Sequence, residues 1–436
     1  MKENKFIKNT SWLFIGQFLR LGISFIVGII TTRYLGPSNY GVINYIQSYV
    51  SFFTTIIGLG FGGILVYELL THENDNGKIL GTAIFFRFIV GILSAFIMLG
   101  IVYQADGDEQ VIMTVAVLEA VQLPFQCMDT INYWFQAKMR SKSAVIIQVL
   151  AHFITSFYKI FLLATGQSVE WFGFALSLEV ILTAIGYLAI YISGKGPALK
   201  LSGSTAKRLL SACGPFIIAN IMTVIYGQVD RIMIKQMLDS TTQVGLYSAA
   251  VTICQMFGFL PITILEAARP AVVEANNQGE ETFSLRFRQL AAAVLWSCIL
   301  FSVGVTVFAE LILHILYGTD YLAAGTCLQI VVWYTSFSYL GSAMHLWLVC
   351  KKQNKKVVLF SALGALFNFI TNLLLIPTWG INGAAMATLI TQILTNFVFP
   401  LLIPSTRPYS LAVIDALCLR NIEIKELIRR VIPGRK

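Results

Sequence analysis

The chain has 436 residues, 56 % of them hydrophobic and only 12 % charged, with a formal net charge of +9. A soluble globular domain carries about 25 % charged residues. This composition therefore excludes a soluble enzyme, a disordered chain and a disulfide scaffold, and leaves a polytopic helical membrane protein.

A helix needs about 20 mainly apolar residues to cross about 30 Å of hydrocarbon. Twelve such stretches are predicted, at 11–32, 43–66, 79–104, 111–136, 143–164, 169–192, 209–235, 244–269, 289–314, 322–349, 357–376 and 382–403. The first follows ten residues that carry no small-residue cleavage site and reads as a retained anchor. With a cytoplasmic N-terminus, 25 of the 31 Lys and Arg fall in cytoplasmic links or the tail. Arg33 alone falls in an outer loop, and Arg20, Arg87, Lys159, Arg231 and Lys235 fall within stretches. This asymmetry places both termini in the cytoplasm. The positive charge is thus a topology signal, and nucleic acid is not a partner, since no basic face exists to track phosphates.

Trp12, Trp134, Trp171, Trp347 and Trp379 fall near stretch ends, as an aromatic belt would place them, while Trp296 and Trp333 are expected between helices. The segment 411–431 carries Ile414, Leu417, Ile424, Leu427, Ile428 and Val431 at helical spacing, which predicts an amphipathic helix on the inner membrane surface. The seven cysteines include no C-x-x-C pair and mostly lie in apolar runs, so neither a disulfide framework nor a zinc site is expected. Gly58-Leu-Gly-Phe-Gly-Gly63 matches G-x-G-x-x-G but follows no strand, so helix packing explains it better than a dinucleotide. There is no P-loop and no H-E-x-x-H, so neither an ATPase site nor a metal or other cofactor is expected.

Gly41 and Gly245 lie 204 residues apart, each just after a short polar turn and each opening the next stretch. Six stretches per half give a parallel repeat about an axis along the membrane normal. The expected organisation is an N-terminal six-helix bundle (1–192), a linker (193–208), a C-terminal six-helix bundle (209–403) and a cytoplasmic tail (404–436).

Four stretches also carry a family resemblance: Tyr34-Leu-Gly-Pro-Ser-Asn-Tyr-Gly41; Gly58-Leu-Gly60 leading to Tyr67-Glu68; Asp230-Arg-Ile-Met-Ile234 with Val244-Gly-Leu-Tyr247; and Pro377 to Thr388. In these the chain resembles the polysaccharide flippases (O-antigen and teichoic-acid type) of the superfamily that includes multidrug and toxin extrusion transporters. The resemblance implies an all-α integral membrane protein with two six-helix bundles around a central cavity. It implies a non-enzymatic flippase for undecaprenyl-diphosphate-linked oligosaccharide, coupled to a proton or sodium gradient. The protein partners it suggests are a polysaccharide polymerase and glycosyltransferases.

A charge near the bilayer centre costs about 2.5–3.5 kcal/mol on insertion scales, so the charges within the stretches must face water, pair, or sit at an interface. Arg20, Arg87 and Lys159, on the first, third and fifth stretches, are candidate diphosphate-binding cations, because guanidinium matches phosphate oxygens bidentately. Arg231 is a weaker candidate that, like Asp230 and Lys235, is close enough to the outer end to snorkel. Glu119, Glu179, Asp129 and Asp230 are candidate ion-coupling acids, with Asp230 read first as a pairing or capping residue. The alternative is that Arg20 and Arg87 pair with Glu119 and Glu179 as structural ion pairs. Pro124, Pro215 and Pro261 are expected to bend their helices. The rival readings are a multidrug exporter of the same superfamily, a peptidoglycan-precursor flippase, and a membrane-bound polymerase or ligase.

Overall fold

The computed structural model describes residues 2–420, excepting the side chains of 2–15, 214–220, 223, 225 and 226. Among the described residues the elements are helices joined by short turns, with no strand. In chain order they are α1 (Lys2–Gly58), α2 (Gly62–Thr71), α3 (Asn76–Asp106), α4 (Gln110–Ala120), α5 (Gln122–Phe125), α6 (Asp129–Ala137), α7 (Ser141–Thr165) and α8 (Val169–Ser193). There follow α9 (Gly203–Leu238), α10 (Thr241–Phe257), α11 (Phe259–Gln278), α12 (Glu280–Leu316), α13 (Gly325–Cys350), α14 (Asn354–Ile393), α15 (Phe399–Leu402) and α16 (Arg407–Leu417).

Every predicted stretch falls mostly on helix, and each of two long helices, α1 and α14, contains one stretch and part of the next. α1 breaks at Gly36 (φ 67°) and α14 at Gly380 (φ 57°), left-handed conformations that a side chain disfavours. Both glycines belong to the motifs that carry the family resemblance. Phe96, Leu300 and Val307 are among many large apolar side chains left about 70 % exposed, which is the surface a lipid-embedded helix presents.

The chain forms two compact units, one running to Gln236 and including Ser240–Gly245, the other comprising Met237–Asp239 and the chain from Leu246 onward. The first unit thus extends past the expected boundary at 208 to take in most of α9. The physical reason is a set of polar contacts made by Lys235 and Gln236, described below.

The first unit has a core in which Leu80, Ile131, Phe135 and Tyr187 are buried. Glu68 of the family motif is buried in the same unit and pairs with Arg208 at 3.0 Å. The two glycines of the internal repeat meet within this unit. A Cβ on Gly41 would collide with the carbonyl oxygen of Thr241, and one on Gly245 with that of Pro37. Ser38 and Thr241 hydroxyls join beside this crossing at 3.1 Å. Each glycine thus lies against the start of the other's helix. Gly245→Leu is expected to abolish accumulation of folded protein, measured as the monodisperse fraction after detergent extraction, because backbone rather than a flexible side chain fills the space.

The second unit has its own core, in which Phe287, Leu340, Phe360 and Tyr409 are buried. Its α16 differs from the predicted tail helix. It starts at Arg407, and its Tyr409, Ala412, Val413 and Ala416 face is buried in protein. The Tyr409 hydroxyl donates to the carbonyls of Asn396 (3.0 Å) and Leu340 (3.2 Å). Of the residues predicted to form the apolar face, Ile414 is half-buried and Leu417 exposed, and Ile424, Leu427, Ile428 and Val431 lie outside the described residues. Tertiary contacts, which hydrophobic spacing does not see, chose the face bearing the tyrosine.

The aromatic belt also needs correction. Trp171 and Trp379 are exposed as expected, but Trp134 and Trp347 are buried in the two cores. Trp333 is held between helices, its indole N–H donating to Thr306 at 3.1 Å.

Candidate functional site

Pro124 sets the site's shape. Proline removes a helix hydrogen bond and clashes with the preceding turn, and here the predicted fourth stretch is divided into α4, α5, a 3-10 turn at Gln126–Met128, and α6. Gly91 of α3 packs directly on this break; a Cβ there would lie 2.8 Å from both the Leu123 carbonyl oxygen and Pro124 Cα. Irregular backbone at membrane depth is tolerated where it lines a cavity. The break does so: the first unit contains an open cavity of about 360 Å³ lined by residues from both halves of α1, from 122–129, from α7 and from α8.

Three of the predicted site residues, Arg20, Asp129 and Glu179, line this cavity together. Among the described residues Arg20 makes neither a hydrogen bond nor an ion pair. Asp129 is likewise without a hydrogen bond and lies in electrostatic range of Arg87. Glu179 is held by two groups on α7: His152 Nδ1 at 3.0 Å and the Thr155 hydroxyl, which donates at 3.3 Å. The other ring nitrogen of His152 meets Ser24 Oγ at 2.9 Å. Four glutamines, Gln47, Gln122, Gln126 and Gln148, complete the polar lining.

The other predicted residues lie elsewhere. Arg87 is buried, donating to the Ile57 carbonyl and to Thr130 Oγ1, both at 3.0 Å. Ile57 ends a helix, where carbonyls lack intrahelical partners, so Arg87 acts as a side-chain cap. Arg87→Met is expected to lower the thermal unfolding midpoint in detergent, costing about 1–3 kcal/mol for the two orphaned acceptors. Any loss of transport in that variant should track the loss of folded protein.

Glu119 of α4 is fully buried against Gly173, and neither carboxyl oxygen has a hydrogen-bond partner. Its charged neighbour is Lys159, which is also in electrostatic range of Glu179. Neither Arg20 nor Arg87 pairs with Glu119 or Glu179, so the structural-pair alternative is not what the fold contains.

Asp230 and Arg231 are both buried, and the Arg231 guanidinium donates to Gln228 at 2.6 Å. Lys235 does not snorkel. It is 2 % exposed and pairs with Asp106 (3.1 Å) and Glu109 (2.7 Å). The second Asp106 oxygen accepts from the Tyr45 hydroxyl at 2.6 Å and from the Gln236 amide at 3.1 Å. These bonds tie the end of α9 to α1 and α3.

Sequence reasoning missed Gln47, Gln122, His152 as a partner of Glu179, and the Tyr45–Asp106–Lys235 cluster. For α7 a signal existed: Gln148, His152, Thr155 and Lys159 recur at helical spacing on one face of an otherwise apolar stretch. The others come from segments far apart in the chain and leave no periodic trace.

An all-α, multi-pass fold with a polar cavity at a broken helix defines a membrane transporter. The chain belongs to the polysaccharide biosynthesis protein family, whose model matches residues 6–276, and thus to the polysaccharide flippase branch of the multidrug/oligosaccharidyl-lipid/polysaccharide exporter superfamily. The MatE model matches residues 215–374. Over 415 residues the chain is 20 % identical to the uncharacterized membrane protein MJ1068 of Methanocaldococcus jannaschii, spanning 88 % of this chain and 81 % of that one. It is 21 % identical over 387 residues to the probable low-salt glycan biosynthesis flippase Agl15 of Haloferax volcanii, spanning 86 % and 79 % of the two chains. Its fold matches that of the lipid II flippase MurJ in an inward closed conformation, with a TM-score of 0.74 at 15 % identity, covering 94 % of this chain and 91 % of that one.

Proposed function

We propose that the protein flips undecaprenyl-diphosphate-linked oligosaccharide from the inner to the outer leaflet of a bacterial cytoplasmic membrane, for assembly of a surface polysaccharide. The chain crosses the membrane twelve times with both ends in the cytoplasm and works by alternating access. The observation that carries this reading is Arg20: a guanidinium with no hydrogen bond or ion pair among the described residues, lining a polar cavity within an otherwise apolar stretch. A diphosphate crossing hydrocarbon needs such a donor, and the planar fork matches its oxygens. The relation to a probable glycan flippase supports the same substrate class.

Movement is coupled to a proton or sodium gradient. Glu119, which has no hydrogen-bond partner, and Glu179, joined to His152, are the acids we assign to coupling, with Asp129 and Asp230 next. Chemistry on the sugar is left to other proteins, glycosyltransferases before translocation and a polymerase after it. No covalent step is assigned to this chain.

Deleting the gene tests the proposal. Polyprenyl-diphosphate oligosaccharide should accumulate on the cytoplasmic side while surface polymer is lost. Normal polymer without a trapped intermediate, in a strain lacking redundant flippases, would sink it. A multidrug exporter is the second reading, favoured by the MatE match and by the two carboxylates that face the cavity beside one arginine.

A further inference from the structure

The cavity of the first unit holds more unmet polar capacity than one arginine. Gln122 is 3 % exposed and lines the cavity, yet its amide nitrogen has no hydrogen-bond partner. Gln47, which also lines the cavity, has a buried amide oxygen that is likewise without a donor. Leaving a buried polar group unpaired costs about 1–3 kcal/mol, and such groups call for an explanation, an occupant being one. The cavity also presents the Asp129 carboxylate without a hydrogen bond, and the Phe125 ring, 38 % exposed.

The balance of charge selects the occupant. Arg20 faces two carboxylates, Asp129 and Glu179, across about 360 Å³. A diphosphate seated wholly inside would meet both carboxylates at low dielectric, where repulsion is large. A simple organic cation would leave the donors of the lining glutamine amides unused. A group that both donates and accepts along its whole edge matches glutamine amides, a carboxylate and an aromatic face. That is the chemistry of a pyranose ring: hydroxyls on its rim and a C–H face for the aromatic. The volume falls at the small end of ligand pockets, about 300–1,000 Å³, which suits one sugar ring.

We propose that this cavity is a carbohydrate subsite that takes one neutral hexose of the lipid-linked substrate, with Gln47, Gln122 and Asp129 bonding its hydroxyls and Phe125 covering one face. It rests on the flippase reading above. Arg20, which lines the same cavity, remains for the diphosphate that follows the sugar.

The test uses the purified full-length protein in nanodiscs and two defined probes, undecaprenyl diphosphate and undecaprenyl-diphosphate N-acetylglucosamine, with binding followed by native mass spectrometry. The sugar-bearing lipid should bind about tenfold more tightly, since one or two hydrogen bonds of about 1 kcal/mol each give that factor. Gln122→Ala should remove most of this increment and leave the affinity for undecaprenyl diphosphate unchanged. Gln47→Ala gives the same reading if Gln122→Ala fails to fold. Equal affinity for both lipids in the wild type overturns the subsite and leaves the flippase reading standing. So does an equal loss for both lipids in the variants. Binding of neither lipid overturns both. A sodium-dependent thermal shift in the absence of lipid, abolished in Asp129→Asn, assigns the cavity to an ion and overturns the subsite.

Discussion

An Arg20→Gln variant is expected to reach the membrane in normal amount, melt within about a degree of the wild type, and lose surface polymer while lipid-linked oligosaccharide accumulates inside. The stability half of this expectation follows from geometry. Arg20 makes no hydrogen bond or ion pair, so its removal leaves no protein group unsatisfied, and surface-type substitutions of that kind stay within about 0.5 kcal/mol. The transport half follows from the diphosphate-donor role proposed for it. Hydrogen bonds to charged groups are worth about 1.5–3 kcal/mol, so losing them should slow translocation roughly 10- to 150-fold. Arg20→Lys should fall between, because it keeps the charge and loses the planar fork. Lipid-linked intermediate and surface polymer, measured in a deletion strain carrying each variant, check this. Wild-type polymer with Arg20→Gln at wild-type expression would remove Arg20 from the mechanism.

Lys235→Met is expected to destabilise the protein more than Arg20→Gln or Arg87→Met, by about 3–5 kcal/mol, the cost of leaving a buried charge unpaired. Lys235 and Asp106 are both nearly inaccessible, with side chains 2 % and 5 % exposed. Asp106 would retain the Tyr45 and Gln236 donors but lose its counter-charge. Adding Asp106→Asn removes that charge and keeps an acceptor for Tyr45, so the double variant should recover a large part of the lost stability. A thermal-unfolding double-mutant cycle in detergent reads the coupling directly, since contacting residues depart from additivity by about 0.5–3 kcal/mol. Strict additivity would mean that the pair does not hold α9 to α1 and α3.

Much of the architecture is legible along the chain. Each apolar stretch forms helix, because crossing hydrocarbon leaves the backbone no other way to satisfy itself in an open chain. Pro124 does break its helix. Gly41 and Gly245, repeat equivalents by spacing alone, touch in the fold, since only glycine allows two helix starts to approach so closely. The site is legible only in part. Arg20, Asp129 and Glu179 stand out as charges in apolar stretches, and the cavity unites them. Arg87 stands out for the same reason but caps a helix end, because an intramembrane charge advertises its cost and not what offsets it. Lys235, which by position is free to snorkel, is locked between Asp106 and Glu109.

Hydropathy and charge sum along the chain, so the sequence by itself determined the membrane class, the helical content and which side chains carry an energetic burden. Which burdened groups meet is decided by segments far apart in the chain, 24 residues for Glu179 and Thr155 and 130 for Gln236 and Asp106. Only the tertiary structure set those pairings. It left Arg20 and Gln122 facing a cavity without partners while Arg87, Lys235 and Tyr409 found theirs, because a hydrogen bond depends on tenths of an ångström between atoms whose separation along the chain says nothing about their separation in space.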